Sequence, residues 1–124
     1  MKKIGIINIV GVNYTLYVYN GDFKKINDDA NERNKRYLHK DEESPLDGYC
    51  DYMSKEIRVF TDEYTDPKYF ETTIRHEITH AFLYEIGNSN CDNEEFVDKL
   101  SKWVPQLETI YNRCKTIIDL EGIK

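Results

Sequence analysis

TDPKYFETTIRHEITHAFLYEIG, from Thr65 to Gly87, is the stretch from which the rest of the chain is best read. Asp66 or Thr65 suits a helix N-cap, and Pro67 suits the first helical position, where its missing N–H costs nothing. Gly87 suits the left-handed position that follows a helix C-terminus. The signals predict a helix from Pro67 to Ile86. Phe70, Ile74, Ile78, Ala81 and Phe82 supply its core side. His76 and His80 are four residues apart, turned about 40° from one another, and so project from one face. Two imidazoles so placed suit one tetrahedral Zn2+ at nitrogen–metal distances of about 2.0–2.1 Å. Glu77 lies beside that face, where its carboxylate reaches a water at the metal without displacing an imidazole. The plainer alternative is an exposed turn of an amphipathic helix that carries the pattern by chance.

Upstream of this helix the sequence reads as strands. KKIGIINIV and YTLYVYN are rich in β-branched and aromatic residues and are joined by GVN, which predicts a hairpin. GYCDYMSKEIRVFTDEY predicts two more strands around a tight turn near Met53 to Lys55. In KEIRVF, Ile57 and Val59 alternate with Arg58, the pattern of a strand with one wet face, often a sheet edge. Between these pairs, residues 23–48 are polar and of mixed charge. They suggest a surface excursion with a short helix around Asp29 to Leu38, loop chemistry at DEESPLDG and a solvated His39.

Downstream, CDNEEFVDKLSKWV predicts a second helix, capped by Asp92 with Glu95 completing a capping box. Pro105 breaks or kinks it, and Leu107, Ile110, Tyr111, Cys114 and Ile117 or Ile118 continue a stripe beyond. Strands first and helices after imply a single α+β domain over residues 1–124. Its small, mostly antiparallel sheet comes from the N-terminal half, with the helices packed on one face.

Composition narrows the classes of function. With 124 residues the chain suffices for one core. The net charge is −6, and no Lys/Arg cluster stands free of acidic neighbours, which argues against nucleic acid and anionic membranes as main partners. The start, MKKIGIINIVGV, resembles a signal peptide only superficially. Asn8 interrupts the apolar run and no small-x-small site follows. The expectation is a cytoplasmic protein without a transmembrane span. Cys50, Cys91 and Cys114 are odd in number and form no CxxC pair, so reduced thiols are expected rather than disulfides.

Catalytic zinc usually has three protein ligands and an open position. Glu94, in the first turn of the second helix, would complete a His2Glu set, and Asp98, one turn later, could orient a ligating imidazole. Glu95 is an alternative ligand, and so is Cys91, which would make a closed site. HEITHA (His76 to Ala81) followed by NEEFVD (Asn93 to Asp98) resembles the gluzincin metallopeptidases, which pair H-E-x-x-H with a glutamate ligand and an aspartate four residues after it. The compact size is similar to minigluzincin-like and ImmA/IrrE-type peptidases of bacteria, phages and mobile elements. The likeness covers roughly Gly48 to Val104.

The resemblance implies His76, His80 and Glu94 as Zn2+ ligands, Glu77 as general base and Asp98 behind the ligands. It implies hydrolysis of a protein or peptide substrate, with activity that can be latent. It also places an extended substrate on an edge strand above the active helix, matched here to Lys55 to Phe60. Tyr84 is one of ten tyrosines available to stabilise an oxyanion, although packing suits it as well. The alternatives are a non-hydrolytic zinc-binding regulatory module of a mobile element, and a metal-free interaction protein.

Overall fold

A computed structural model describes residues 1–33 and 47–122. Strands β1 (Lys2–Ile9), β2 (Val12–Asn20), β3 (Gly48–Asp51) and β4 (Glu56–Thr61) form one sheet in the order β1-β2-β4-β3. β1 and β2 make the antiparallel hairpin, closed by Val10 and Gly11 at φ 51° and 87°. Two positive φ values match the turn to the right-handed strand twist, although a β-branched residue is uncommon there. Asn8 braces the turn. Its Oδ1 accepts from the Gly11 N–H at 3.0 Å, and its Nδ2 donates to Asn13 Oδ1 at 3.1 Å across the pair.

β3 and β4 pair antiparallel, while β2 and β4 pair parallel. Parallel neighbours need a crossover connection, and helix α1 (Phe23–Arg33) lies within it. The helix thus begins six residues before the Asp29 start read from the sequence. The remainder of that reading, with His39 and most of DEESPLDG, lies outside the described residues.

The sheet is covered on both faces. On one, Ile9, Tyr14, Cys50, Ile57 and Val59 pack with Ala81, Phe70, Ile74 and Ile78 of helix α2 (Pro67–Glu85). On the other, Tyr19 and Tyr49 pack with Ile26 and Ala30 of α1. The expected placement of helices on one face is corrected here, because two buried side chains are enough to seat a mostly polar α1. The edge assignment of KEIRVF is corrected too, since β4 is an interior strand. Its Arg58 is only 3% exposed. The guanidinium sits 4.3 Å from the Tyr17 ring centroid, pairs with Glu56 at 2.8 Å and Asp29 at 3.5 Å, and donates to the Tyr19 hydroxyl. Compensation by two carboxylates is what lets an arginine occupy a covered face.

α2 begins and ends as its sequence indicates. Asp66 accepts from the Lys68 N–H at 2.8 Å. At the other end Gly87 takes φ 74°, Asn88 N–H donates to Leu83 O at 2.9 Å and Gly87 N–H to Tyr84 O at 3.0 Å. This pair of bonds is a Schellman C-terminus. Helix α3 (Glu94–Leu120) is capped by Asn93, whose side chain accepts from Phe96 N–H at 3.0 Å. The cap is therefore Asn93 rather than Asp92, and no capping box forms. Glu95 instead pairs with Lys99 at 2.8 Å, and Asp92 accepts from the Tyr52 hydroxyl at 3.1 Å.

α3 continues through Pro105 as one helix and does not break there. Its first two turns pack on α2, burying Val97 and Ser101. Beyond them it leaves the domain. Among the described residues, no helix is long and apolar enough to cross a membrane.

Candidate metal centre

The third and fourth turns of helix α2 present His76 and His80 toward the first residue of α3. His76 Nε2 lies 2.8 Å from Glu94 Oε2, and His80 Nε2 lies 3.1 Å from Glu94 Oε1. The two Nε2 atoms are 3.2 Å apart, with the rings edge-to-face at 72°. One ligand atom from each of the three residues lies within 4.8 Å of the others, and the group could hold a metal ion. Tetrahedral bonds of about 2.0–2.1 Å put neighbouring ligand atoms roughly 3.4 Å apart. The observed separations are close to that edge length.

The outer nitrogen of His80 has a hydrogen-bond partner. His80 Nδ1–H donates to the backbone carbonyl of Cys91 at 2.6 Å. With that bond kept, loss of the other ring proton leaves Nε2 free to ligate a metal. Tyr52 supports the arrangement. Its hydroxyl lies 3.0 Å from Cys91 O, 3.1 Å from Asp92 Oδ1 and 3.3 Å from His80 Nδ1. Its ring stacks on Tyr84 at 4.2 Å and 8°, and burial, then Asp92, pushes its phenol pKa up. On the other histidine, Asp98 Oδ1 stands 3.7 Å from His76 Nδ1, longer than a hydrogen bond, while Oδ2 is held by Lys102 at 2.8 Å.

Sequence reasoning named His76, His80, Glu94 and Asp98, and the structure brings these four together. It missed Tyr52 and the Cys91 carbonyl. A backbone carbonyl has no residue-type signal, and Tyr52 lies in a turn far along the chain from the helix. The Cys91 thiol is not part of the group, and Glu95 turns away to Lys99. Tyr84 is engaged by its stack and by Lys55, whose Nζ stands 4.9 Å from its ring centroid.

Glu77 is 6% exposed and packs beneath the start of β3. A Cβ built on Gly48 would stand 3.2 Å from Glu77 Cγ, 2.9 Å from the Arg58 carbonyl and 3.3 Å from Val59 Cγ1. Glycine is needed here for space. Gly48→Val is expected to cost about 1–3 kcal/mol through overpacking, read as a lower Tm. An unchanged Tm would show that β3 shifts freely.

Electrostatics ties Glu94 to the imidazoles. Burial would depress the His80 pKa, but the Glu94 hydrogen bond, Glu77 and the Cys91 carbonyl outweigh it and push it up to about 9. Hydrogen bonds from His76 and His80 hold the Glu94 carboxyl well below its usual range. In metal-free protein the raised His80 stabilises fully below its ordinary 6.5, and that contribution is lost as pH rises through about 9. The depressed Glu94 contributes above its ordinary 4.5, and this is lost as pH falls below it. In the presence of chelator, the Tm difference between wild type and Glu94→Gln is therefore expected to be largest between pH 4.5 and 6.5. A difference independent of pH would disprove the coupling.

No protein-family model, no curated protein and no solved structure matches the chain. The reading of the site therefore rests on its own geometry. Two imidazole nitrogens and one carboxylate are a donor set that could hold a metal ion.

Proposed function

We propose that the chain is a small zinc metallopeptidase of gluzincin type. The observation that carries this reading is the convergence of His76 Nε2, His80 Nε2 and the Glu94 carboxylate at tetrahedral spacing, next to the buried Glu77. Three protein ligands leave one position for water or substrate, the arrangement of catalytic rather than structural zinc. Bound there, Zn2+ supplies Lewis acidity that activates water and polarises a carbonyl. Glu77 accepts the proton of the attacking water and returns it to the leaving amine. The Cys91 carbonyl and Tyr52 hold His80 in the ligating tautomer, and Asp98 stands behind His76.

The substrate strand assigned from sequence to Lys55 to Phe60 has no free edge on β4 to occupy. Among the described residues, β3 (Gly48–Asp51) is the terminal strand of the sheet on the Glu77 side. An extended peptide added to β3 would gain main-chain hydrogen bonds and run past Glu77.

Native mass spectrometry with and without chelator tests the centre. One zinc per chain, removed by chelation, supports the reading. A chain that stays metal-free after zinc addition overturns it and leaves HEITH as a helix face. Zinc retention with no cleavage of any peptide in a diverse library would favour the non-hydrolytic regulatory module.

A further inference from the structure

The part of α3 beyond the domain, Lys102 to Leu120, carries a stripe that nothing in the described structure covers. Trp103, Val104, Leu107, Ile110, Tyr111, Ile117 and Ile118 are each between 44% and 65% exposed. Their spacing is regular. Val104, Leu107, Tyr111, Cys114 and Ile118 alternate in steps of three and four, and Trp103, Ile110 and Ile117 flank them every seven residues. This is a heptad seam widened by one flanking position, the pattern of helices that pair with helices. Gln106, Thr109, Asn112, Arg113 and Thr116 keep the far side polar, and Pro105 lies off the seam.

We propose that this segment pairs antiparallel with the same segment of a second copy of the chain, about a dyad between Asn112 and Arg113. Three observations select this occupant. Seven large apolar side chains, each 44–65% exposed, run along one side of the helix for more than four turns, a surface that a facing helix can cover. In the antiparallel register Leu107 faces Ile118 of the second copy, and Tyr111 faces Cys114. Beside the seam, Glu108 then lies two residues from the position directly opposite Lys115 and on the same flank, so the dyad makes two self-complementary diagonal ion pairs. A parallel pair would oppose Trp103 to Glu108 and Ile110 to Lys115, with no ion pair, and would bring the two domains to the same end. The charges along this segment are Lys102, Arg113 and Lys115 against Glu108 and Asp119. That mixture gives no attraction to an anionic lipid surface, which takes a basic polar face.

Sedimentation of the full chain from about 1 to 100 µM, in chelator so that the metal centre plays no part, tests the pairing. A dimer is expected, and Leu107→Glu is expected to make it monomeric without changing its circular dichroism, because Leu107 is already exposed. Glu108→Lys or Lys115→Glu alone should each weaken the dimer about tenfold, since either turns two attractive pairs repulsive, and the double reversal should restore it. A monomer at the highest concentration overturns the proposal. So does a dimer indifferent to Leu107→Glu, or single reversals that are no weaker than the double. Co-sedimentation of a monomeric chain with phosphatidylserine vesicles would also overturn it, in favour of a lipid surface.

Discussion

On the proposed peptidase reading, Glu77→Gln is expected to leave one Zn2+ per chain bound and to lower peptide hydrolysis by about 10²–10⁴-fold, the usual contribution of a positioned general base. The substitution is nearly isosteric. It sits at a side chain that is 6% exposed and packed under Gly48 and β3, so the fold and the ligand geometry are retained. What is lost is proton acceptance, because an amide cannot take the proton from water. Zinc stoichiometry by native mass spectrometry and cleavage of a peptide library, run on the same preparations, separate loss of chemistry from loss of the site. Equal cleavage by wild type and variant, at equal zinc loading, would remove Glu77 from the mechanism.

On the same reading, Glu94→Ala is expected to lower zinc affinity by more than about 100-fold, and Glu95→Ala to leave it unchanged. Substitutions of groups merely supporting a ligand cost 10–100-fold, and removing a ligand costs more. Glu94 reaches both imidazoles at 2.8 and 3.1 Å. Glu95, its neighbour, is turned toward Lys99. Competition against a chromophoric chelator measures both affinities. A Glu95 variant that loses zinc as strongly as the Glu94 variant would show that the first turn of α3 rearranges on binding. Zinc uptake by wild type near pH 7 should also release about one proton, since His80 with a pKa of about 9 is protonated there. Calorimetry in buffers of different ionisation enthalpy reads that proton directly.

Much of the architecture follows from local chemistry. Asp66, Pro67 and Gly87 fix both ends of α2, because caps and positive-φ positions are decided within a few residues. The hairpin β1–β2 is local for the same reason, with Asn8 and Gly11 closing it. The i, i+4 spacing of His76 and His80 puts two ligands on one face of any helix. The sequence alone therefore determined the α2 helix, the hairpin, the α+β class and two of the three residues of the candidate metal centre.

The third dimension decided the remainder. Whether Asn93 or Asp92 caps α3 shifts the helix by a single position, and competing side chains resolve it: Asp92 is taken by Tyr52, a residue forty positions earlier. Strand order is non-local, so Arg58 read as wet when it is in fact enclosed by Asp29, Glu56, Tyr17 and Tyr19. Reading Arg58 as wet made KEIRVF look like an edge, whereas among the described residues β3 is the terminal strand. The Cys91 carbonyl on His80, and the room that Gly48 leaves for Glu77, depend on backbone brought together across the chain. Residue type says what chemistry a side chain can do within its own turn of helix. Which groups face it across the packed core is set by long-range packing, where burial and charge compensation, not spacing, choose the partner.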